Sequence, residues 1–367
     1  MSQSPTRGAT PWPRPEVSNP GLTRPDWTKS GARDPSKLWL DKNENTDPAL
    51  SAVVTEVMRS LAPEAYFTYP DCAPLYAKLA DRLELLPEQL ILTAGSDGAI
   101  RAVFEAYISP GDVVLHTNPT FAMYGVYSRM YGAKAVTLDY RPSSNGPLLL
   151  SAEIIEAIAQ ERPKLVCLPN PDSPTGTFYP IRELELIIRA AQRVGALILI
   201  DEAYFPFHAE SCIAWTRRFD HLVVARSTGK AWGLAGLRIG YAAASPEVAK
   251  ILHKVRPMYE VNTVAVHAFQ RMLDHADEMM DSVKRLQAGK DLFLSEMERL
   301  GYRTLKGQGN FMHVAFGVQA AKVHAALEPL VYYRKDFNEP CLKGFSRFSA
   351  TTPDLFKPII QRIAEVS

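Results

Sequence analysis

No two cysteines in this 367-residue chain have C-x-x-C spacing. Cys72, Cys167, Cys212 and Cys341 are scattered, which argues against a structural zinc site and against a disulfide framework. They read as reduced packing residues, and no metal is expected. Long apolar runs are missing too. No stretch approaches the roughly 20 apolar residues of a membrane span, and residues 1–35 have no apolar core of the kind that marks a secretory signal, so a soluble, cytoplasmic chain is expected. Charge of one sign is absent, with 41 Lys and Arg against 40 Asp and Glu and a formal net charge of +1. Without a strong field, neither nucleic acid nor an anionic membrane is the expected partner. Glycine-rich nucleotide loops are lacking as well. No G-x-G-x-x-G follows an apolar run, and Gly229-Lys230 has neither the earlier glycine nor the following hydroxyl of a P-loop. A small molecule is left as the expected partner.

What is present suits two bodies better than one small core. Residues 1–35 are rich in Pro, Arg, Ser and Gly and cannot repay their ordering entropy alone, so a flexible arm is expected there. Beyond it, short β-branched runs alternate with helical patterns: Leu90 to Thr93, Val113 to Thr117, Ala135 to Leu138, Leu165 to Leu168, Leu197 to Ile200, Leu222 to Ala225 and Gly240 to Ala243. That order predicts an α/β chain whose mainly parallel, seven-stranded sheet is covered by helices on both faces. Ser96 and Asp97 stand where they can cap a helix running to about Tyr107, and Ile181 to Val194 carries apolar residues at helical spacing. Pro246 to Leu300 reads as almost wholly helical, and Arg303 to Val366 alternates over shorter lengths, as in a smaller α+β domain. The predicted division is 61–256 for the large domain, with 36–60 and 257–367 forming the small one.

Ligands of open α/β sheets sit at the carboxyl ends of strands. Two such ends carry unusual residues. Leu197 to Ile200 runs into Asp201, Glu202, Ala203 and Tyr204, and Leu222 to Ala225 is followed by Ser227, Thr228, Gly229 and Lys230. Taken singly, the carboxylate is as readily a helix cap or metal ligand, and the lysine a solvated loop charge.

In series with other segments, they resemble the fold type I pyridoxal-phosphate-dependent aminotransferases, most closely the histidinol-phosphate aminotransferase-like group. The resemblance spans roughly Leu38 to Pro353. It runs through Asn43-Glu44-Asn45, Tyr69-Pro70-Asp71, Gly95-Ser96-Asp97, Pro119-Thr120-Phe121, Pro174-Thr175-Gly176, Asp201 to Tyr204, Lys230 and Arg238, in that order. It implies pyridoxal 5′-phosphate as cofactor, with Lys230 forming the Schiff base, Asp201 pairing with the pyridine nitrogen and Tyr204 bonding the ring's phenolic oxygen. It implies that the turn at Ser96 and Asp97, with Ser227 and Arg238, holds the phosphate. Phe121 would stack on the ring, and Tyr69 would reach the cofactor of a neighbouring subunit in a homodimer. Arg347, in Ser346-Arg347-Phe348-Ser349, resembles the group's substrate-anchoring arginine and Arg334 a second one, and by the same resemblance Asn43 would lie near the substrate.

Three positions depart from the group's pattern. Ser173 precedes Pro-Thr-Gly where the family has asparagine, Gly229 stands where serine is common, and Phe348 to Thr352 lacks the usual glycine. The expected activity is amino transfer between an amino acid, or an amino alcohol such as histidinol phosphate, and a 2-oxo acid such as 2-oxoglutarate. The alternatives are a decarboxylase of a phosphorylated amino acid and a cofactor-dependent regulator, although the arm offers no DNA-binding pattern.

Overall fold

The computed structural model describes residues 13–23 and 32–367. Its centre is a seven-stranded sheet in which Leu90–Thr93, Gly240–Ala243, Leu222–Ser227, Leu197–Asp201, Leu165–Pro169, Val113–Asn118 and Lys134–Asp139 lie side by side. Gly240–Ala243 runs antiparallel to both its neighbours; every other pairing is parallel. The central strands are apolar and buried along their whole length, as a sheet covered on both faces requires. The alternation of side chains decides what each residue meets: Ile198 and Ile200 enter one core, Leu197 and Leu199 the other. Helix Ile181–Val194 lays Leu184, Ile187, Ile188 and Ala191 against the sheet and stops at Gly195, whose φ of +75° suits a left-handed cap.

A second body holds the three-stranded antiparallel sheet Ser346–Ser349, Phe311–Ala315 and Arg303–Leu305, with Leu38–Trp39 pairing in parallel with Val331–Tyr332. Its core contains Leu40, Phe293, Met312, Phe348 and Phe356. Packing divides the chain differently from the expected boundaries. Helix Thr263–Met272 and helix Pro48–Arg59 contribute Phe269, Leu50 and Val57 to the core of the large sheet. The long helix Ala276–Arg299 serves both bodies, with Met279 and Val283 in the first core and Leu286, Phe293 and Met297 in the other. The core of the large sheet also takes in Leu305, Phe337 and Phe345 from beyond that helix, so the two bodies share packing on both sides of it. Within the expected arm, residues 13–23 rest on the large body: Leu22 packs on its second core, and Arg14 Nη2 donates to Met130 O at 3.5 Å. The rest of the arm up to residue 31 lies outside the described residues. Among those described, no helix is long and apolar enough to cross a membrane.

Candidate active site

The carboxyl ends of the parallel strands open onto one cavity of about 270 Å³, close to the lower end of the roughly 300–1,000 Å³ usual for small-molecule sites. Asp201, Tyr204, Ser227 and Lys230 line it from the two strand ends that stood out in the sequence; Ser96, Asp97, Phe121, Ser173 and Arg238 line it from neighbouring loops. Nine of the thirteen residues expected at the site line the cavity, and Asn43 and Arg347 reach the lining residues Tyr204 and Ser173. Tyr69 and Arg334 are placed differently.

On the floor, Asp201 Oδ2 accepts from the Tyr124 hydroxyl at 3.1 Å and Oδ1 from the Ala203 N–H at 3.0 Å. Burial pushes this carboxyl up to about 6 against those two donors. No cation pairs with it among the described residues. Phe121 stands at the cavity wall, edge-on to Tyr124 with ring centroids 5.9 Å apart.

At one end, helix Gly95–Tyr107 points its amino terminus into the cavity. Ser96 and Asp97 were expected to cap it, but Ala94 is the cap residue and makes no side-chain bond; both polar residues sit inside the first turn. Their amides belong to the turn that has no intrahelical partner. Gly240 lets this turn close on the sheet: a β-carbon there would come within 2.5 Å of Gly95 C and 2.7 Å of Ser96 N. Arg238, held at φ +54°, bonds only carbonyls, Ala94 O at 3.3 Å and Ala235 O at 3.5 Å, and has no carboxylate partner among the described residues. Ser227 Oγ accepts from Gly229 N–H at 3.1 Å. The absence of a side chain at 229 has a steric reason, since a β-carbon would meet Ala235 Cα at 3.1 Å.

Lys230 Nζ donates to Lys42 O at 2.7 Å and lies 5.9 Å from the Tyr204 ring centre. Burial, then the nearby Arg347 charge, lowers this amine to about 8. Tyr204 accepts at its hydroxyl from Asn43 Nδ2 at 2.8 Å. Asn43 is buried at φ +57°, with its N–H on Ser349 Oγ at 2.8 Å and its carbonyl accepting from Asn310 Nδ2 at 2.9 Å. Asn43, expected near the substrate, thus reaches the cavity through the hydroxyl of Tyr204.

Arg347 is buried beside them, its Nη2 on Asp41 O at 2.7 Å and its Nη1 3.5 Å from Ser173 Oγ. Arg334 is joined to it through the main chain but pairs its guanidinium with Glu339. Tyr69 lies outside the cavity, 75% exposed and stacked on Tyr259 at 4.2 Å. Two further residues at the site were not among those expected there. Tyr124 sits on helix Met123–Met130, where an aromatic residue reads as packing. Asp172 is fully buried and collects three hydroxyls, Thr117 at 2.6 Å, Thr120 at 2.7 Å and Tyr140 at 3.0 Å, joining the loop of Phe121 to that of Ser173.

Comparison with known proteins decides the family. The model of the family described as aminotransferase class I and II matches residues 35–363. The chain belongs to that family. It is an aminotransferase of fold type I, and its cofactor is pyridoxal 5′-phosphate. Histidinol-phosphate aminotransferase 1 of Carboxydothermus hydrogenoformans is 29% identical over 335 residues, covering 90% of this chain and 93% of that one. The histidinol-phosphate aminotransferase of Roseiflexus castenholzii is 31% identical over 338 residues, 89% of either chain. A crystal structure of the Sinorhizobium meliloti histidinol-phosphate aminotransferase in complex with pyridoxal-5′-phosphate superposes with a TM-score of 0.80 at 20% identity, over 98% of both chains. The decarboxylase reading finds no support among these relatives.

The cavity fits the cofactor on its own chemistry. A buried carboxylate without a cation suits a protonated pyridine nitrogen, because a buried charge is costly unless paired. An uncapped helix terminus beside an arginine that holds only carbonyls suits a phosphate. A lysine lowered toward neutrality suits a carbonyl electrophile.

Proposed function

We propose that this aminotransferase moves an amino group between a carboxylate- or phosphate-bearing amine and a 2-oxo acid, with histidinol phosphate, glutamate and 2-oxoglutarate the first compounds to test. What carries the reading is one relationship: Lys230 and Tyr204 line the cavity, the Arg347 guanidinium reaches Ser173 on its wall, and the Arg347 charge favours the neutral Lys230 amine and lowers the proton affinity of Tyr204. An amine held at Lys230 and an anion held at Arg347 would then belong to one molecule. The names of the relatives support the choice of histidinol phosphate.

The roles follow from the chemistry of each side chain. When bound, pyridoxal 5′-phosphate supplies a carbonyl electrophile and a ring that takes up the electron pair left at the substrate's Cα. Lys230 Nζ, neutral in part near pH 8, would remove the Cα proton and return it. Asp201 would keep the pyridine nitrogen protonated, with Tyr124 and the Ala203 amide fixing its two oxygens. Tyr204, its hydroxyl already accepting from Asn43, has its own proton free to donate to the ring oxygen. Ser96, Asp97, Ser227 and Arg238 would hold the phosphate, Phe121 would cover the ring, and Arg347 would orient the substrate's anion.

The same reading includes a homodimer in the cytoplasm. It is supported by an exposed apolar patch around Tyr69, in which Phe67 is 73% and Met258 79% exposed. A two-fold contact through that patch would deliver Tyr69 to the partner's phosphate cup. Sedimentation at working concentration tests this, and a fully active monomer overturns it. The activity is tested by incubating the holoenzyme with each amine and 2-oxoglutarate and measuring glutamate. Carbon dioxide release in place of glutamate would replace amino transfer with decarboxylation.

A further inference from the structure

Strand pairing sets His313, Arg347 and Arg334 in one row. His313 and Arg347 are opposite residues of the antiparallel strands Phe311–Ala315 and Ser346–Ser349. Arg347 is bridged in turn to Arg334, with Arg334 N–H on Arg347 O at 3.1 Å and Arg347 N–H on Arg334 O at 2.8 Å. Directly opposed residues of an antiparallel pair project from the same face, and like charges there repel. Two guanidinium groups so placed call for anions.

The anions present are shared unequally. Arg334 Nη2 lies 3.3 Å from Glu339 Oε1 and 3.4 Å from Oε2, its Nε donates to Asp336 O at 3.2 Å, and its Cζ stands 3.9 Å over the Phe337 ring. The Asp41 carboxylate is paired with Arg33 at 2.6 Å; it acts on Arg347 only through space, while its main-chain oxygen accepts from Arg347 Nη2 at 2.7 Å. Arg347 has no carboxylate within ion-pair distance among the described residues, and its Nε is buried without a hydrogen-bond partner. His313 adds no charge, because burial keeps the imidazole neutral, down at about 3. Arg33, Arg334 and Arg347 thus meet two carboxylates, Asp41 and Glu339, and the unbalanced positive charge rests on Arg347.

We propose that Glu339 is a specificity-determining residue: by neutralising Arg334 it leaves a seat for one unit of negative charge, on Arg347, and so favours donors anchored by a single carboxylate over donors anchored by a phosphomonoester. A carboxylate brings one negative charge, whereas a phosphomonoester near pH 7 brings about 1.5 to 2. The second charge would have to recruit Arg334 away from Glu339 and would meet the Glu339 carboxylate while doing so. Discrimination comes from this repulsive element as much as from the attraction of Arg347. The pair is partly exposed, Arg334 at 41% and Glu339 at 29%, so it can open, and its effect is graded.

The inference rests on the amino-transfer reading, and its test separates the two. Wild-type and Glu339→Gln holoenzymes are compared with histidinol phosphate and with phenylalanine as donors and 2-oxoglutarate as acceptor. The expected result is a KM for histidinol phosphate that falls about two- to fivefold in the variant, with the KM for phenylalanine and both kcat values unchanged. Adding Arg334→Ala cancels the gain, because the charge released by Glu339→Gln is then gone. A KM that stays constant, or that moves equally for both donors, overturns the proposal. The second measurement does not need turnover: inorganic phosphate and acetate are titrated into each holoenzyme and followed by the cofactor's visible absorbance. Phosphate is expected to bind the variant more tightly by a similar factor while acetate does not, and equal changes overturn the proposal. If neither donor is turned over but phosphate alone tightens, the choice of substrates fails while the role of Glu339 stands.

Discussion

The Tyr124 hydroxyl donates to Asp201 Oδ2 at 3.1 Å, on the carboxyl proposed to pair with the cofactor's pyridine nitrogen. That bond lowers the proton affinity of a carboxyl that burial raises to about 6. Without it the proton would shift from the ring nitrogen toward Asp201, and the ring would withdraw electrons less well. Tyr124→Phe is therefore expected to lower kcat by roughly ten- to a hundredfold, the range for one hydrogen bond to a charged group, with KM for the carboxylate donor little changed. Single-turnover kinetics of Cα-proton removal check this, and an unchanged rate would take Tyr124 out of the catalytic chain.

Tyr124 also marks where the sequence stops being legible. Asp201, Lys230 and Ser227 announce themselves because an apolar strand ends abruptly in a polar residue, a local event that a linear reading captures. The parallel strands are legible for the same reason, each being a short β-branched run. Tyr124 and Asn310 act through contacts 77 and 267 residues away along the chain, with Asp201 and Asn43, and look like ordinary packing residues in sequence. Asp172 was visible only as the residue before Ser173, since its three hydroxyl donors come from Thr117, Thr120 and Tyr140. Helix spacing reports a buried face without saying which core buries it, so the sharing of helix Ala276–Arg299 between two cores was not legible. Arg334 stood out in the sequence by its motif, whereas Glu339 as its partner did not.

Lys230 gives a pH dependence with a definite sign. Burial and the Arg347 and Arg238 charges hold the amine at about 8, so its neutral, nucleophilic fraction grows as pH rises through that value. The rate at which cofactor-free protein captures pyridoxal 5′-phosphate should climb from pH 6 and level off above about 8. Removing the Arg347 charge should move the midpoint upward. Borohydride should fix the cofactor on Lys230, and Lys230→Ala should lose both the trapped adduct and the visible absorbance; peptide mass spectrometry locating the adduct on another lysine would end the assignment.

Ser173 lines the cavity on a short arm, whereas Asn170 does not line it and is held by Tyr179. Both ends of the Asn170 amide are engaged by Tyr179, Nδ2 on its carbonyl at 3.1 Å and Oδ1 on its N–H at 2.7 Å. Ser173→Asn would add a donor that reaches the ring's phenolic oxygen and favours its anionic form. The pH midpoint of the bound cofactor's spectral change should fall, with the cofactor retained. A titration whose midpoint stays or rises would count against this.

Asp172 ties the proposed site to stability. Burial outweighs its hydroxyl bonds and raises it from 3.8 to about 7. An acid raised in the folded state contributes stability fully below its unfolded value, near 4, and loses that contribution as pH rises through the folded value, near 7. Across that window the cofactor-free protein should lose up to about 4 kcal/mol through this group, and Asp172→Asn should flatten the slope even if it lowers stability overall. Urea midpoints at several pH values between 4 and 8 measure it. A variant with the wild-type slope would assign the pH dependence elsewhere, first to Asp201, which is raised to about 6.

Arg347 bears most directly on substrate. A guanidinium is costly to bury unless its donors are met, yet Nε has no partner, Nη1 has only the distant Ser173 hydroxyl and Nη2 a carbonyl. Burial lowers its proton affinity, but not into a range where it would discharge. An incoming carboxylate would supply the acceptors the site withholds, and the gain would persist through the transition state. Arg347→Ala should keep the cofactor's absorbance and lose about 2 to 5 kcal/mol in kcat/KM for carboxylate donors, the range for truncating one partner of a buried charge pair. Arg347→Lys should recover only part of that loss, because a point charge cannot reproduce the two-pronged fork. Arg334→Ala should cost far less, since Glu339 already holds that arginine. The comparison of the three variants with one donor decides the matter: equal losses for Arg334→Ala and Arg347→Ala would mean that both arginines hold the substrate, and an Arg347→Ala enzyme at wild-type rate would place the anion elsewhere.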